Sequence, residues 1–167
     1  MHELLDWLGT ARFFSTLDLT KGYWQIPLSP ESREKTAFST PYGLYQFVTL
    51  PFGLFGTPAT FQRLMDRVLR PHAAYAAAYL DDVIIHSDGW AEHIRRVAAV
   101  LESMRQAGLT ANTKKCAVGR REVRYLGYHL GGGQVRPQVD KTAAIATCPR
   151  PKSKKEVRRF LGLGSAM

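Results

Sequence analysis

Apolar residues recur at helical spacing in two stretches of the chain, and between them lie short runs with the look of strands. From Thr57 onward, Phe61, Leu64, Met65, Val68 and Leu69 fall on one face of a 3.6-residue period. That predicts a helix capped by Thr57, with Pro58 in its first turn and Pro71 closing it. Residues 91–107 repeat the pattern, with Ile94, Val97, Leu101 and Met104 inward and Gly108 as the stop. Leu4, Leu5 and Leu8 read as the tail of a further amphipathic helix that Gly9 ends. Strands are predicted at residues 12–18, before a Thr20-Lys21-Gly22 turn, and at 36–39 and 44–50 around Pro41-Tyr42-Gly43. A second hairpin runs through residues 75–80 and 83–86 with Asp81-Asp82 at its turn, and further strands are predicted at 110–112 and 123–130. Ser153 and Glu156 form a capping box ahead of Val157, Phe160 and Leu161, so the chain ends in a short helical segment. This order implies an α+β fold, an antiparallel sheet covered on one face by two helices.

The 167 residues are 45% hydrophobic, enough for one core without disulfides, which excludes a disordered tail or a stapled mini-scaffold. Cys116 and Cys148 stand far apart with no histidine at ligand spacing, which argues against zinc and for a reducing compartment. The apolar run 73–80 is too short to span a bilayer, and Glu3 and Asp6 lie where a signal peptide would be basic and then apolar. The expectation is a soluble intracellular domain with no membrane partner. Charge is divided unevenly within a net +9. Residues 1–100 carry nine Lys/Arg against ten Asp/Glu, and residues 101–167 carry fourteen against four. A basic half of this kind suits a polyanion, or is simply a solvated surface.

Three aspartates stand out. Asp18 ends a strand-like Phe13-Phe14-Ser15-Thr16-Leu17, and Asp81-Asp82 interrupt an otherwise apolar run. Singly, an aspartate at a strand end or turn serves the local backbone. Together, adjacent carboxylates repel one another, and a hard divalent cation (Mg²⁺ or Mn²⁺) relieves the repulsion.

Tyr79-Leu80-Asp81-Asp82 resembles the catalytic hairpin of reverse transcriptases, and the segment from Phe14 to Tyr23 resembles the first catalytic segment of that family. Leu50-Pro51-Phe52-Gly53-Leu54 and Thr57-Pro58-Ala59-Thr60-Phe61-Gln62 are similar to the nucleotide-proximal loop and helix of gypsy-type retrotransposon enzymes. Tyr125-Leu126-Gly127-Tyr128 resembles the primer grip, and Phe160-Leu161-Gly162-Leu163 the opening of the thumb.

The resemblance implies a right-hand polymerase palm of ferredoxin/RRM-like layout, with palm and partial fingers over residues 1–135 and the start of the thumb over 136–167. It implies RNA-directed DNA synthesis in which a primer 3′-hydroxyl attacks a dNTP on an RNA or DNA template, with two Mg²⁺ ions (or Mn²⁺) about 3.5–4 Å apart. Asp18, Asp81 and Asp82 would be catalytic and would hold the metals together with the Leu19 carbonyl. Tyr23, Pro51, Phe52 and Gly53 would meet the nucleotide, although spacing alone reads Tyr23 as a core aromatic. Lys114 and Lys115 would contain a lysine that protonates pyrophosphate, or serve as solvated phosphate contacts. Tyr125, Leu126 and Gly127 would seat the primer. Arg120, Arg121, Arg124, Lys152, Lys154, Lys155, Arg158 and Arg159 would track the nucleic-acid backbone.

Only 17 residues precede Asp18, and Gly56-Thr57 stands where Asn-Ala is expected before Pro58. The sequence thus suggests a palm cut from a longer Pol polyprotein with ribonuclease H. The alternative is a non-catalytic nucleic-acid-binding remnant, since the same layout serves RNA-binding modules.

Overall fold

A computed structural model of the chain describes residues 11–137 and 153–158. The segment containing Leu4, Leu5 and Leu8, the expected thumb motif at Phe160 to Leu163, and Cys148, Lys152 and Arg159 lie outside the described residues. The first strand, β1 (Phe13–Asp18), leads through a 3-10 turn at Gly22–Gln25 and one helical turn at Pro30–Arg33 to a small hairpin, β2 (Phe38–Thr40) and β3 (Gly43–Tyr45). Helix α1 (Thr57–Leu69) follows, then β4 (Ala76–Tyr79), β5 (Asp82–Ser87) and helix α2 (Trp90–Gln106). Four short strands complete the order: β6 (Ala117–Arg120), β7 (Glu122–Tyr125), β8 (Tyr128–Gly131) and β9 (Gln134–Pro137).

The central sheet runs β4-β5-β1-β6 with every neighbour antiparallel. With its two helices it forms the split β-α-β arrangement, so the expected ferredoxin-like α+β layout is observed. Alternation along β1 and β5 sorts side chains to two faces. Leu17, Val83 and Ile85 meet α1 and α2 through Phe61, Met65, Leu69, Val97, Val100 and Met104, all buried. Phe14 and Ile84 point the other way, onto Val123, Tyr125 and Leu130 of the separate β7-β8-β9 sheet. Each such fully buried side chain contributes about 1.5–3 kcal/mol, so both faces of the central sheet are anchored. No described helix is long and apolar enough to cross a membrane.

Several expectations are corrected. Thr57 is not the cap of α1. Gly56 takes that place with φ +87°, and Thr57 is buried with its hydroxyl directed at the Pro51 carbonyl. In α2 the inward face is His93, Val97, Val100 and Met104, while Ile94 and Leu101 are exposed. A histidine can occupy that core position because Ser15 and Ser87 each bond one of its ring nitrogens, at 2.7 and 2.9 Å. Residues 110–112 form no strand but a single bridge, Leu19 to Ala111, and the strand lies later, at β6. The predicted strand 123–130 is instead the β7–β8 hairpin. Leu126 (φ +48°) and Gly127 (φ +83°) reverse the chain there, as a primed two-residue turn requires. The first hairpin is shorter than predicted. Ser153 does cap residues 154–158, accepting the Glu156 N–H at 3.3 Å.

Candidate active site

The turn between β4 and β5 consists of Leu80 and Asp81, with Asp82 already inside β5 opposite Tyr79. The predicted Asp81-Asp82 turn is therefore one residue earlier. Leu80 has φ +55°, a left-handed conformation that a branched residue holds only when its surroundings impose it. The register sets Asp18 directly opposite Asp82 at the end of the β1–β5 ladder. Facing cross-strand residues carry their Cβ atoms about 4.5–5.5 Å apart, so two carboxylates there repel. Burial pushes the Asp82 carboxyl up, and the charges of Asp81 and Asp18 push it the same way against the pull of Lys115. The Lys115 amine pairs with Asp18 Oδ2 at 3.1 Å.

Asp18, Asp82, Lys115, Arg124, Tyr125 and Leu126 line one cleft of about 130 Å³. Its far wall is the β7–β8 hairpin. Tyr125 is buried there and donates its hydroxyl to the Asp82 carbonyl at 3.2 Å, which ties the hairpin to the acidic strand. Burial, reinforced by Asp82, pushes the Tyr125 phenol well above its ordinary range. Asp81 stands on the other side of the turn, beside Gly22 and Tyr23, and its carbonyl accepts the buried Leu19 N–H at 2.9 Å. Tyr23 sits edge-on to Phe61 at 5.3 Å and to the exposed Phe52 at 5.0 Å, so its ring links core to surface. Burial pushes the Tyr23 hydroxyl up, with Asp81 and Tyr79 adding to it.

The three aspartates thus share one end of the sheet, and the charges of Asp81 and Asp18 both act on Asp82. Among the described residues no three His, Cys, Asp or Glu side chains group closely enough to hold a metal ion. Lys115 pairs with Asp18, and Asp81 lies in the turn next to the facing pair rather than in the ladder. The donor chemistry nonetheless fits a hard divalent cation. All three side chains are carboxylates, and Asp82, raised first by burial and then by the charges of Asp81 and Asp18, is a carboxyl whose ionised form a cation would stabilise.

Residues 2–130 match the family model described as reverse transcriptase (RNA-dependent DNA polymerase). The chain belongs to the reverse transcriptase family. It is 41% identical over 98% of its length to the retrovirus-related Pol polyprotein from transposon 297 of Drosophila melanogaster, and 40% identical over 95% to that from transposon gypsy. The enzymatic polyprotein of cauliflower mosaic virus is 34% identical over 96% of the chain. A foamy viral protease-reverse transcriptase in complex with double-stranded DNA superposes with a TM-score of 0.85 at 26% identity, covering 93% of this chain and 27% of that one. The chain spans 16% of the length of the transposon 297 polyprotein and 24% of the cauliflower mosaic virus one.

The other site candidates of this reverse-transcriptase palm are dispersed. Pro51 is buried, and Gly53 holds φ +87° in a loop whose Phe52 is 64% exposed. Lys114 is exposed and does not line the cleft, and its backbone N–H bonds Asn112 Oδ1 at 3.2 Å. Of the described arginines, only Arg124 reaches the acidic cleft. Arg120 pairs across from Phe14, and Arg121 lies over the Phe13 ring at 5.7 Å, at the opposite end of β1 from Asp18. Lys154, Lys155 and Arg158 are exposed on the short C-terminal helical segment.

Two glutamines with no assigned part in the sequence reading brace the site. Gln25 bonds Thr20 and Thr110 across the mouth of the 3-10 turn, and Gln62 bonds Ala78 and Leu80 beside the acidic turn. The only signal for Gln62 was its place in the motif Phe61-Gln62, which does not tell which backbone atoms it meets.

Proposed function

We propose that this palm carries out RNA-directed DNA synthesis as part of a longer Pol polyprotein, extending a primer on an RNA or DNA template with dNTPs. The observation that carries this reading is the Asp18–Asp82 pair facing the Tyr125 hairpin across one cleft. Two Mg²⁺ ions, or Mn²⁺, bound by Asp18, Asp81, Asp82 and the Leu19 carbonyl would activate the primer hydroxyl and neutralise charge on the transferring phosphoryl group. The chain's own residues do the positioning. Tyr125, Leu126 and Gly127 form the wall on which a primer end rests, with Asp82 held against it by the Tyr125 hydroxyl. Tyr23 and Phe52 present an edge-to-face pair of rings beside Asp81, where a nucleotide sugar and base would pack. Lys115, which lines the cleft beside Asp18, would supply an ammonium to phosphate oxygens or to the leaving pyrophosphate. Arg124 at the cleft, with Lys154, Lys155 and Arg158, offers phosphate contacts, and Arg120, Arg121, Lys152 and Arg159 extend the basic set. The foamy viral relatives, solved with double-stranded DNA and with an RNA/DNA hybrid, support such a partner.

The Lys115–Asp18 ion pair favours a second reading, nucleic-acid binding without catalysis, because the lysine already satisfies a carboxylate meant for metal. Template-directed dNTP incorporation separates the two, measured with the chain joined to the flanking polymerase segments of a relative. Asp81→Asn should lower the rate about a thousandfold, roughly 4 kcal/mol of transition-state stabilisation. Incorporation within tenfold of the parent would overturn the polymerase reading.

A further inference from the structure

We propose that Gln62 is a positioning residue whose side-chain amide acts as a substitute strand, locking the edge of the sheet and the Leu80-Asp81 turn to helix α1. The inference rests on the polymerase reading for its purpose and on hydrogen-bond geometry for its existence.

Among the described residues β4 is the edge of the central sheet, so one row of its backbone groups has no neighbouring described strand. Gln62 fills that gap at two points. Its Nε2 donates to the Ala78 carbonyl at 2.9 Å, and its Oε1 accepts the Leu80 N–H at 2.8 Å. Both contacts are partly buried. The second amide hydrogen goes to Asp66 Oδ1 at 2.8 Å, one helical turn along α1. A carboxylate only accepts, so Asp66 fixes which end of the amide is nitrogen and therefore which end meets Leu80. The donors and the acceptor of this side chain are all engaged.

Leu80 is the residue that most needs such restraint. It is a leucine at φ +55°, and it immediately precedes Asp81. The turn is held from the other side by the Leu19 N–H, which donates to the Asp81 carbonyl at 2.9 Å. The acidic turn is therefore gripped by β1 on one flank and by Gln62 on the other. Without the helix-side grip, Leu80 can relax toward negative φ, and the Asp81 carboxylate loses its fixed bearing on Asp18 and Asp82.

The test uses the 167-residue chain and two variants. Gln62→Leu removes both bonds at similar volume, and Gln62→Glu keeps an oxygen for Leu80 while losing both donors. Amide hydrogen exchange followed residue by residue should show Leu80 exchanging about tenfold faster in Gln62→Leu, with Gln62→Glu between it and the parent. Val83 and Ile85, in the middle of the ladder, should stay within about twofold of the parent, which excludes general loosening. Mn²⁺ affinity, read by water-proton relaxation, should weaken about tenfold in Gln62→Leu. Unchanged Leu80 exchange would overturn the clamp. Faster Leu80 exchange with unchanged Mn²⁺ affinity would overturn its positioning role. If the parent itself binds no Mn²⁺, the metal reading fails, and the clamp is then decided by Leu80 exchange alone.

Discussion

Gly22 packs where no side chain fits, which makes Gly22→Ala an informative perturbation. A Cβ at this position would lie 2.9 and 3.1 Å from the Phe61 ring and 3.2 Å from Asp81 Cβ, all inside ordinary contact distance. Phe61 is fully buried between Tyr23 and the helix-side core, so its ring cannot swing out. The strain must move the Gly22–Gln25 turn or the turn bearing Asp81. Overpacking of this kind costs about 1–3 kcal/mol, and the reduced freedom of the unfolded alanine chain offsets about 0.4–1 kcal/mol. A net loss of about 1–2 kcal/mol lowers the Tm of a chain this size by about 2–8 °C. Gly119→Ala is the control. Its Cβ would meet Trp90 at 2.6 Å and it sits at φ +63°, so it is destabilising too, but the half-exposed Trp90 ring can turn aside and Asp81 is untouched. The assay is thermal unfolding paired with Mn²⁺ titration. Both variants should melt lower, and only Gly22→Ala should bind Mn²⁺ more weakly. A Gly22→Ala protein with unchanged Tm and unchanged Mn²⁺ affinity would refute the close approach of the two turns.

Three further outcomes are expected. His93 and His86 are held below the ordinary histidine pKa, by burial first and by Arg96 second. The unfolded chain therefore binds their protons more readily, and stability present above about pH 6.5 is lost as pH falls below it, by up to about 1.4 kcal/mol per pH unit for each group. Urea unfolding from pH 7.5 to 5 should show the decline, and a flat profile would contradict it. Asp82, with its pKa raised, has the opposite sign: its ionised form costs stability at neutral pH, so Asp82→Asn should raise the metal-free Tm while removing Mn²⁺ binding, and a lowered Tm would count against the repulsion. If Tyr23 meets the sugar of the nucleotide, Tyr23→Val should increase incorporation of ribonucleotides relative to deoxyribonucleotides in kcat/KM, whereas a fall in Tm with the ratio unchanged would leave the ring a purely structural bridge to Phe61.

The parts of this molecule that local pattern determines were legible in the sequence. Helix α1 follows from Phe61, Met65 and Leu69 at one-turn spacing, and the acidic hairpin from an apolar run broken by two aspartates. The buried face of α2 lies about one residue from the face its hydrophobic spacing predicts, because His93 is buried against hydroxyls from two strands, one of them 78 positions away. No hydrophobicity pattern contains that partnership. Leu126 concealed the β7–β8 turn because leucine rarely takes positive φ, so a hairpin read as one long strand. At the site, Asp18 and the Asp81-Asp82 pair were identifiable from the motif. That Asp82 rather than Asp81 faces Asp18 depends on a turn one residue earlier than expected. Arg120, Arg121 and Arg124 look alike in sequence, yet strand register sends only Arg124 to the cleft.

The most direct test of the account is where a paramagnetic divalent cation binds. Amide resonances of the ¹⁵N-labelled chain should be recorded while Mn²⁺ is added in substoichiometric steps. The account predicts that Leu19, Asp81 and Asp82 broaden first, that Lys115 follows as it leaves Asp18, and that Asp18→Asn with Asp82→Asn abolishes the effect. Broadening that begins instead at surface carboxylates such as Glu31, Glu34 or Glu102, or that persists in the double variant, would contradict a metal-dependent polymerase site at this end of the sheet.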